Sequence, residues 1–281
     1  MRSNELAGKT VMMTGAGRGM GRAMSIALAA AGAKVAMIDL DADVLAEAAK
    51  AVDGAGGQGA ALPIVADVTS AQKVRDALAK TLDRFGRLDV LVNDAVVGPE
   101  RIKPTFIIEK EKFWNLDDDL WQLMLRVNIF GPQLMAKTVA PQMLAQGWGR
   151  IVNVTTSLDT MYLAGAGAYG PTKAALEAHT RVMAEDLEGT GVSANILVPG
   201  GPVNTRMIDP ANNFPRDKLI QPEVMQKPIV WLCSADSDGI NGMRFIAARW
   251  DASLPREERI ARAGAPAAWP QLGSQAVYPG A

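Results

Sequence analysis

A chain of 281 residues with one cysteine, one histidine and three tyrosines is poor in the side chains that most often carry chemistry. The single thiol, Cys233, excludes a disulfide framework within the chain, and the single imidazole, His179, excludes a histidine-rich metal cluster. An excess of either charge is also missing. The 29 Lys and Arg balance 30 Asp and Glu to a net charge of -1, which offers no electrostatic basis for nucleic acid or an anionic membrane as partner. Long apolar runs are absent too: the opening MRSNELAGKT has no hydrophobic core of a signal peptide, and AMSIALAAAGAKVAMID is broken by Gly32 and Lys34 before it can cross a bilayer. The expectation is a cytoplasmic protein in a reducing compartment.

What is present is apolar surface in quantity. Hydrophobic residues make up 48% of the chain, and a chain this long buries roughly 75% of its unfolded surface. Short runs rich in β-branched and large apolar residues recur at 9–15, 34–40, 60–68, 88–94, 150–156, 192–200 and 243–248. Between them lie helix-length segments of 3.6-residue periodicity, such as SAQKVRDALAKTLDRFG, which opens on an N-cap serine and closes on glycine. The alternation predicts an α/β fold: a doubly wound, Rossmann-like parallel sheet of about seven strands with helices on both faces. With no linker or repeat, a single domain over 1–281 is expected. Two stretches break the rhythm, a long loop at 99–119, expected to face substrate, and an Ala/Pro/Gly-rich tail at 262–281, expected to be ordered only where it packs.

After the first strand comes TGAGRGMG, with Gly15, Gly17, Gly19 and Gly21 around Arg18 and Met20. Such glycines let a backbone turn tightly and approach a pyrophosphate at the positive end of the next helix. A bare glycine cluster is an ordinary turn, but the strand before it, the helix after it and Asp39 at the end of the second strand argue for a dinucleotide. A carboxylate there accepts ribose hydroxyls and repels a 2′-phosphate, and Leu40 beside it supplies no cation, so NAD is expected over NADP although Arg18 can also reach a phosphate. Asp67 and Val68 are placed to meet the adenine edge, with helix capping as the alternative for Asp67.

The run YGPTK sets Lys173 one helical turn after Tyr169, on the same face. A neighbouring ammonium favours phenolate and lowers a pKa of about 10, so that the phenol can exchange a proton with an alcohol. Together, TGAGRGMG, NDAV (93–96), Asn128, RIVNVTTS, YGPTK and PGGPVNT resemble the short-chain dehydrogenase/reductase family over nearly the whole chain. The resemblance implies an NAD-dependent oxidoreductase acting on a small-molecule alcohol or ketone, assembled as a homotetramer or homodimer. It implies that Lys173 also holds the cofactor ribose, that Asn128 bends its helix and anchors a proton path, and that a hydroxyl thirteen positions before Tyr169 polarises the reacting oxygen. That count lands on Thr156, whereas residue type favours the adjacent Ser157, and both stay open. Asn93 and Ala95 follow the family pattern at the nicotinamide ribose, but Asp94 and Val96 depart from it. In PGGPVNT the resemblance assigns Pro199, Gly200, Val203 and Thr205 to the nicotinamide.

Phe106, Ile107, Phe113, Trp114, Met161 to Leu163 and Met207 are substrate-facing candidates whose character predicts a hydrophobic, ring-bearing substrate. His179 and Cys233 are expected to pack, 109–112 to form a solvated face, and Asp117 to Asp119 to sit at a helix N-terminus. Two rivals share these motifs in part: a sugar-nucleotide epimerase or dehydratase, and a non-catalytic NAD-sensing protein.

Overall fold

The computed structural model describes residues 4–273. Its elements in chain order are β1 (Thr10–Thr14), α1 (Gly19–Ala30), β2 (Lys34–Asp39), α2 (Ala42–Gly56), β3 (Ala61–Val65), α3 (Ala71–Phe85) and β4 (Val90–Asn93). Then follow α4 (Asp118–Leu125), α5 (Gly131–Gln146), β5 (Gly149–Val154), α6 (Leu158–Met161), α7 (Tyr169–Asp186) and β6 (Val192–Val198). The series closes with α8 (Gln226–Cys233), β7 (Met243–Ile246), α9 (Arg256–Ala263) and β8 (Gly264–Pro266).

The eight strands form one sheet in the order β3-β2-β1-β4-β5-β6-β7-β8, parallel throughout except that β8 runs antiparallel to β7. Each of the seven sequence-predicted strands is found, and the expected tail supplies the eighth: Gly264 pairs with Phe245 and Pro266 with Met243. Three residues without alternation give too little periodicity to betray a strand, so this edge was not legible. Positions 274–281 of that tail lie outside the described residues.

Alternate residues of each strand enter opposite layers, as the pleat requires. Val11, Met13, Val35, Met37, Val90 and Val92 pack with Met24 and Leu28 of α1, Leu45 and Val52 of α2, and Ile229 and Leu232 of α8. Met12, Ala36, Ile38, Leu91 and Ile151 face the other way, onto Val74 of α3, Met135 and Val139 of α5, and Met183 of α7. β1 and β4 are therefore apolar on both faces, and each large side chain buried there stabilises the fold by about 1.5–3 kcal/mol. Among the described residues no helix is long and apolar enough to cross a membrane.

Strand order reverses between β1 and β4. Connections leave the carboxyl ends of these neighbours in opposite directions, which opens a crevice there. The glycine turn after β1 and Asp94 after β4 form its floor.

Candidate active site

At the first side of the crevice the backbone is the structure. A Cβ on Gly21 would overlap the Gly15 carbonyl, and one on Gly15 would lie 2.9 Å from the Ala95 nitrogen, so neither position admits a side chain. Gly15 also has φ 67°. The Thr14 hydroxyl accepts from the N–H groups of both Asp94 (3.0 Å) and Ala95 (3.1 Å), which locks the end of β4 onto the turn. Asp39 accepts from the Gly17 N–H at 3.0 Å. Across the turn, a Cβ on Gly19 would meet the Thr205 methyl at 3.0 Å, so the segment after β6 closes over it. A cradle without side chains at a helix N-terminus, with a carboxylate on its rim, fits a dinucleotide.

Other predicted cofactor residues are placed as follows. Arg18 is exposed and pairs with Asp41 at 2.7 Å, Leu40 is exposed, and Met20 packs against the α1 layer. Asp67 accepts from the Thr69 N–H at 2.8 Å, and the cap of α3 is Ser70 instead. The Val68 side chain is buried against Gly131 and leaves only backbone for an adenine. Asn93 is likewise turned away: its amide donates to Asn153 at 2.9 Å, between β4 and β5. Pro199 follows directly on β6 and its carbonyl receives the Ala248 N–H, while Gly200 takes φ 108° with Ala248 and Ile246 where a Cβ would go. Val203 bridges to Ile220, and Thr205 is folded back with its N–H on the Val203 carbonyl at 2.7 Å.

On the other side of the crevice, side chains take over. Tyr169 opens α7 and is buried among Met124, Ala168, Val96, Val97, Ile102, Leu120 and Met207. The Thr156 side chain lies beside its hydroxyl and favours the ionised phenol. Ser157 is engaged elsewhere, sharing a hydrogen bond of 2.8 Å with the Thr160 hydroxyl at the start of α6. Lys173 lies one turn on, with Nζ 6.0 Å from the Tyr169 ring centroid, and donates to the Val154 carbonyl at 2.8 Å.

Asn128 sits in a wide turn, Arg126–Phe130, that interrupts the run from α4 to α5, so the helix departs from regularity where a mid-helix asparagine predicts it. Its amide accepts from Val97 N–H (2.8 Å) and donates to the Val97 carbonyl and the Thr172 hydroxyl (both 3.0 Å). Both of its N–H donors are therefore spent on Val97 and Thr172, while its oxygen keeps one acceptor lone pair.

Two buried charges that sequence reasoning passed over brace this corner. Glu177 of α7 accepts from the Thr155 hydroxyl at 3.2 Å and from Arg244 of β7 at 2.9 Å, and Arg244 also donates to the Thr156 carbonyl at 3.1 Å. A signal existed for both. Glu177 is one turn beyond Lys173 on a buried face, and Arg244 interrupts an apolar strand that buries it only with a partner.

Burial sets the electrostatics. It pushes the Tyr169 phenol well above its ordinary value; the Thr156 side chain beside it works against this, while the carboxylates of Glu100 and Asp94 add to it. Desolvation likewise lowers the lysine itself to about 8, the charge of Asp94 opposing that fall. Asp94 is buried, accepts from the Gly21 N–H and is pushed by burial up to about 7, with Lys173 pulling it down.

The substrate-side candidates divide. Met207 lies in the Tyr169 cluster and Met161 is buried, but Phe106 is spent on packing against Ile208 and Leu219, with Ile107 alongside. Asn212 ties that loop down by accepting from Ile107 N–H (3.2 Å) and donating to the Pro104 carbonyl (2.7 Å), a contact across more than a hundred residues that no local pattern announces. Phe113, Trp114, Tyr162 and Leu163 are exposed, the first two edge-on to each other. His179 contacts Gln133 at 2.6 Å, Cys233 is buried, and Asp117 caps α4.

Residues 9–215 match the family described as short chain dehydrogenase. The chain is 31% identical over 264 residues to the fluoren-9-ol dehydrogenase of a Terrabacter species, covering 88% of this chain and 72% of that protein. Its fold superposes with a TM-score of 0.75 on a short-chain type dehydrogenase/reductase from Mycobacterium marinum, at 26% identity over 86% of this chain and 94% of that one. A short chain dehydrogenase from Shigella flexneri, solved with NADP, shares the fold with a TM-score of 0.77 at 21% identity, over 88% and 99% of the two chains.

Proposed function

The chain belongs to the short-chain dehydrogenase family, and on that premise we propose that it interconverts a hydrophobic secondary alcohol and a ketone, with NAD as redox partner. The observation that carries this reading is the buried Tyr169 phenol in an apolar pocket, with the Thr156 side chain beside it, Lys173 one turn away and the glycine cradle opposite. The nicotinamide, when bound, supplies the hydride acceptor or donor and, oxidised, a positive charge. Tyr169 takes or gives the hydroxyl proton, and Thr156 holds the reacting oxygen. Lys173 supplies positive charge beside the phenol, and Asn128 fixes the Val97 wall against α7. Gly15, Gly17, Gly19 and Gly21 receive the pyrophosphate, and the segment from Pro199 to Thr205 covers the nicotinamide.

Three observations favour NAD over NADP: Asp39 on the rim, Leu40 bare of charge, and Arg18 held by Asp41. An aryl alcohol is supported by the apolar cluster around Tyr169 and by the tricyclic alcohol in the name of the Terrabacter relative. A cytoplasmic homotetramer or homodimer of a single-domain chain is part of the same proposal, supported by the half-exposed Trp121, Leu125 and Phe130 around α4. Reduction of NAD and NADP scanned over a panel of alcohols tests cofactor and substrate class together. Tyr169→Phe should lower turnover by about 100- to 10,000-fold, the usual worth of general acid–base catalysis, while dinucleotide affinity stays unchanged. Wild-type turnover by that variant would refute the role given to Tyr169.

A further inference from the structure

Beside the Tyr169 cluster lies a carboxylate with one oxygen unpartnered. Glu100 follows β4 in the turn Pro99–Arg101, and its Oε2 is shut off from solvent with no hydrogen-bond partner. The space where a Cβ of Gly98 would stand is filled by this oxygen and by the terminal methyl of Met207. Met207 in turn packs with Tyr169, Met124 and Ala168, so a single flexible side chain bridges the carboxylate and the proposed reaction centre. The Glu100 charge is near enough to tighten the hold of the phenol on its proton. Arg101 and Arg206 temper the carboxylate from a distance without bonding Oε2.

An unpaired buried acceptor costs about 1–3 kcal/mol, and more when charged, so a position like this is retained where something else completes it. The apolar residues packed on the Tyr169 cluster, Val96, Val97, Ile102, Leu120 and Met207, carry no donor, and neither arginine bonds Oε2. A substrate that entered this pocket with a purely apolar body would leave Oε2 as it is. One that carried a hydroxyl or an ammonium near its reacting carbinol would satisfy it once the Met207 thioether swings aside.

We propose that Glu100 is a specificity-determining residue that selects apolar, ring-bearing alcohols or ketones carrying a second hydrogen-bond donor next to the reacting carbon. This rests on the alcohol–ketone reading and narrows it: the substrate class is amphipathic, a diol, hydroxyketone or amino alcohol on an aromatic or alicyclic body. A charge-assisted hydrogen bond accounts for about 1.5–3 kcal/mol, which converts to about a 10- to 150-fold preference.

The test uses a benzylic secondary alcohol and its two analogues bearing a hydroxyl or an amine on the adjacent carbon. Wild-type enzyme should show KM at least about tenfold lower for one or both analogues than for the parent, and which analogue wins identifies the donor. Glu100→Leu should reverse the order, favouring the parent, and Glu100→Gln, which keeps an acceptor oxygen, should fall between. Equal preference in wild type and Glu100→Leu would overturn the proposal, as would a wild-type preference for the parent. If none of the three is turned over, thermal stabilisation of the dinucleotide-saturated protein by the same compounds is read instead. Stabilisation by the donor-bearing analogues that vanishes in Glu100→Leu then upholds Glu100 while the alcohol–ketone reading fails; no stabilisation in either protein overturns both.

Discussion

The two sides of the crevice are built on different principles. On the side of β1 and α1 the backbone does the recognising: glycines too close to Ala95 and to one another for any side chain, and N–H groups fixed by Thr14 and Asp39. On the side of α7, side chains form the wall: Tyr169 beside Thr156, Lys173 on Val154, Asn128 on Val97, and Glu177 with Arg244 behind them. A backbone site needs a contiguous stretch of chain, whereas a side-chain site gathers residues from anywhere. The first is rigid because nothing can be added to it. The second is rigid only while each partner remains.

Adding one methyl group is therefore the severest way to break the comparison. In Gly21→Ala the new Cβ would overlap the Gly15 carbonyl and stand 2.9 Å from Asp94 Oδ2, both of them fixed groups. The turn must move, at a cost of about 1–3 kcal/mol or more, and its N–H groups move with it. The expected result is loss of measurable dinucleotide binding in a fluorescence titration, in a protein that still folds. Wild-type affinity would show that the cradle is softer than its contacts imply.

Removing a partner is the matching experiment on the other side. Arg244→Met leaves the Glu177 carboxylate buried without its counter-ion, held by the Thr155 hydroxyl alone, which destabilises by about 3–5 kcal/mol in the general run of such pairs, and frees the Thr156 carbonyl. Adding Glu177→Leu should restore most of the stability, because an apolar pair of similar volume replaces the ion pair well. Turnover should stay low in the double variant, about tenfold below wild type in kcat with KM for the dinucleotide unchanged, since Thr156 has lost its clamp. Recovery of kcat together with the melting temperature would reduce the pair to a structural role.

The same division decides what could be read from the chain. The glycine turn was legible because its spacing, the strand before it and the carboxylate of Asp39 all fall within thirty residues. Tyr169 with Lys173 was legible for the same reason, one turn of one helix. Thr156 against Ser157 was not, because the choice depends on how the loop after β5 enters α6, a matter of packing. Asn93 and Val68 were assigned by position to the crevice, yet the sheet and Gly131 claim their side chains. The loop at 99–119 was identified by length alone; which of its residues face inward is set by Asn212, Ile208 and Leu219, far along the chain. Short periodic elements carry their own signature, and long-range side-chain partners do not.

Asp94 stands on the seam, taking the Gly21 N–H from one side and feeling the Lys173 charge from the other, with Asp39 adding repulsion. Its titration should report on both. The folded pKa is raised by burial to about 7, above an unfolded value of about 3.9, so between those limits the folded protein holds the extra proton and stability falls as pH rises. Lys173 is shifted the opposite way, down to about 8, so above that value the unfolded chain holds the extra proton and stability climbs again toward about pH 10. Denaturant midpoints should thus trace a minimum near neutrality, each limb approaching about 1.4 kcal/mol per pH unit, the slope for one proton. Asp94→Asn keeps an acceptor for the Gly21 N–H but no charge, so the falling limb should vanish. The rising limb should begin at lower pH as well, because the carboxylate that had been holding the Lys173 proton in place is gone. Superimposable curves for the two proteins would mean that the backbone side and the side-chain side, although they meet at this residue, do not sense each other's charge.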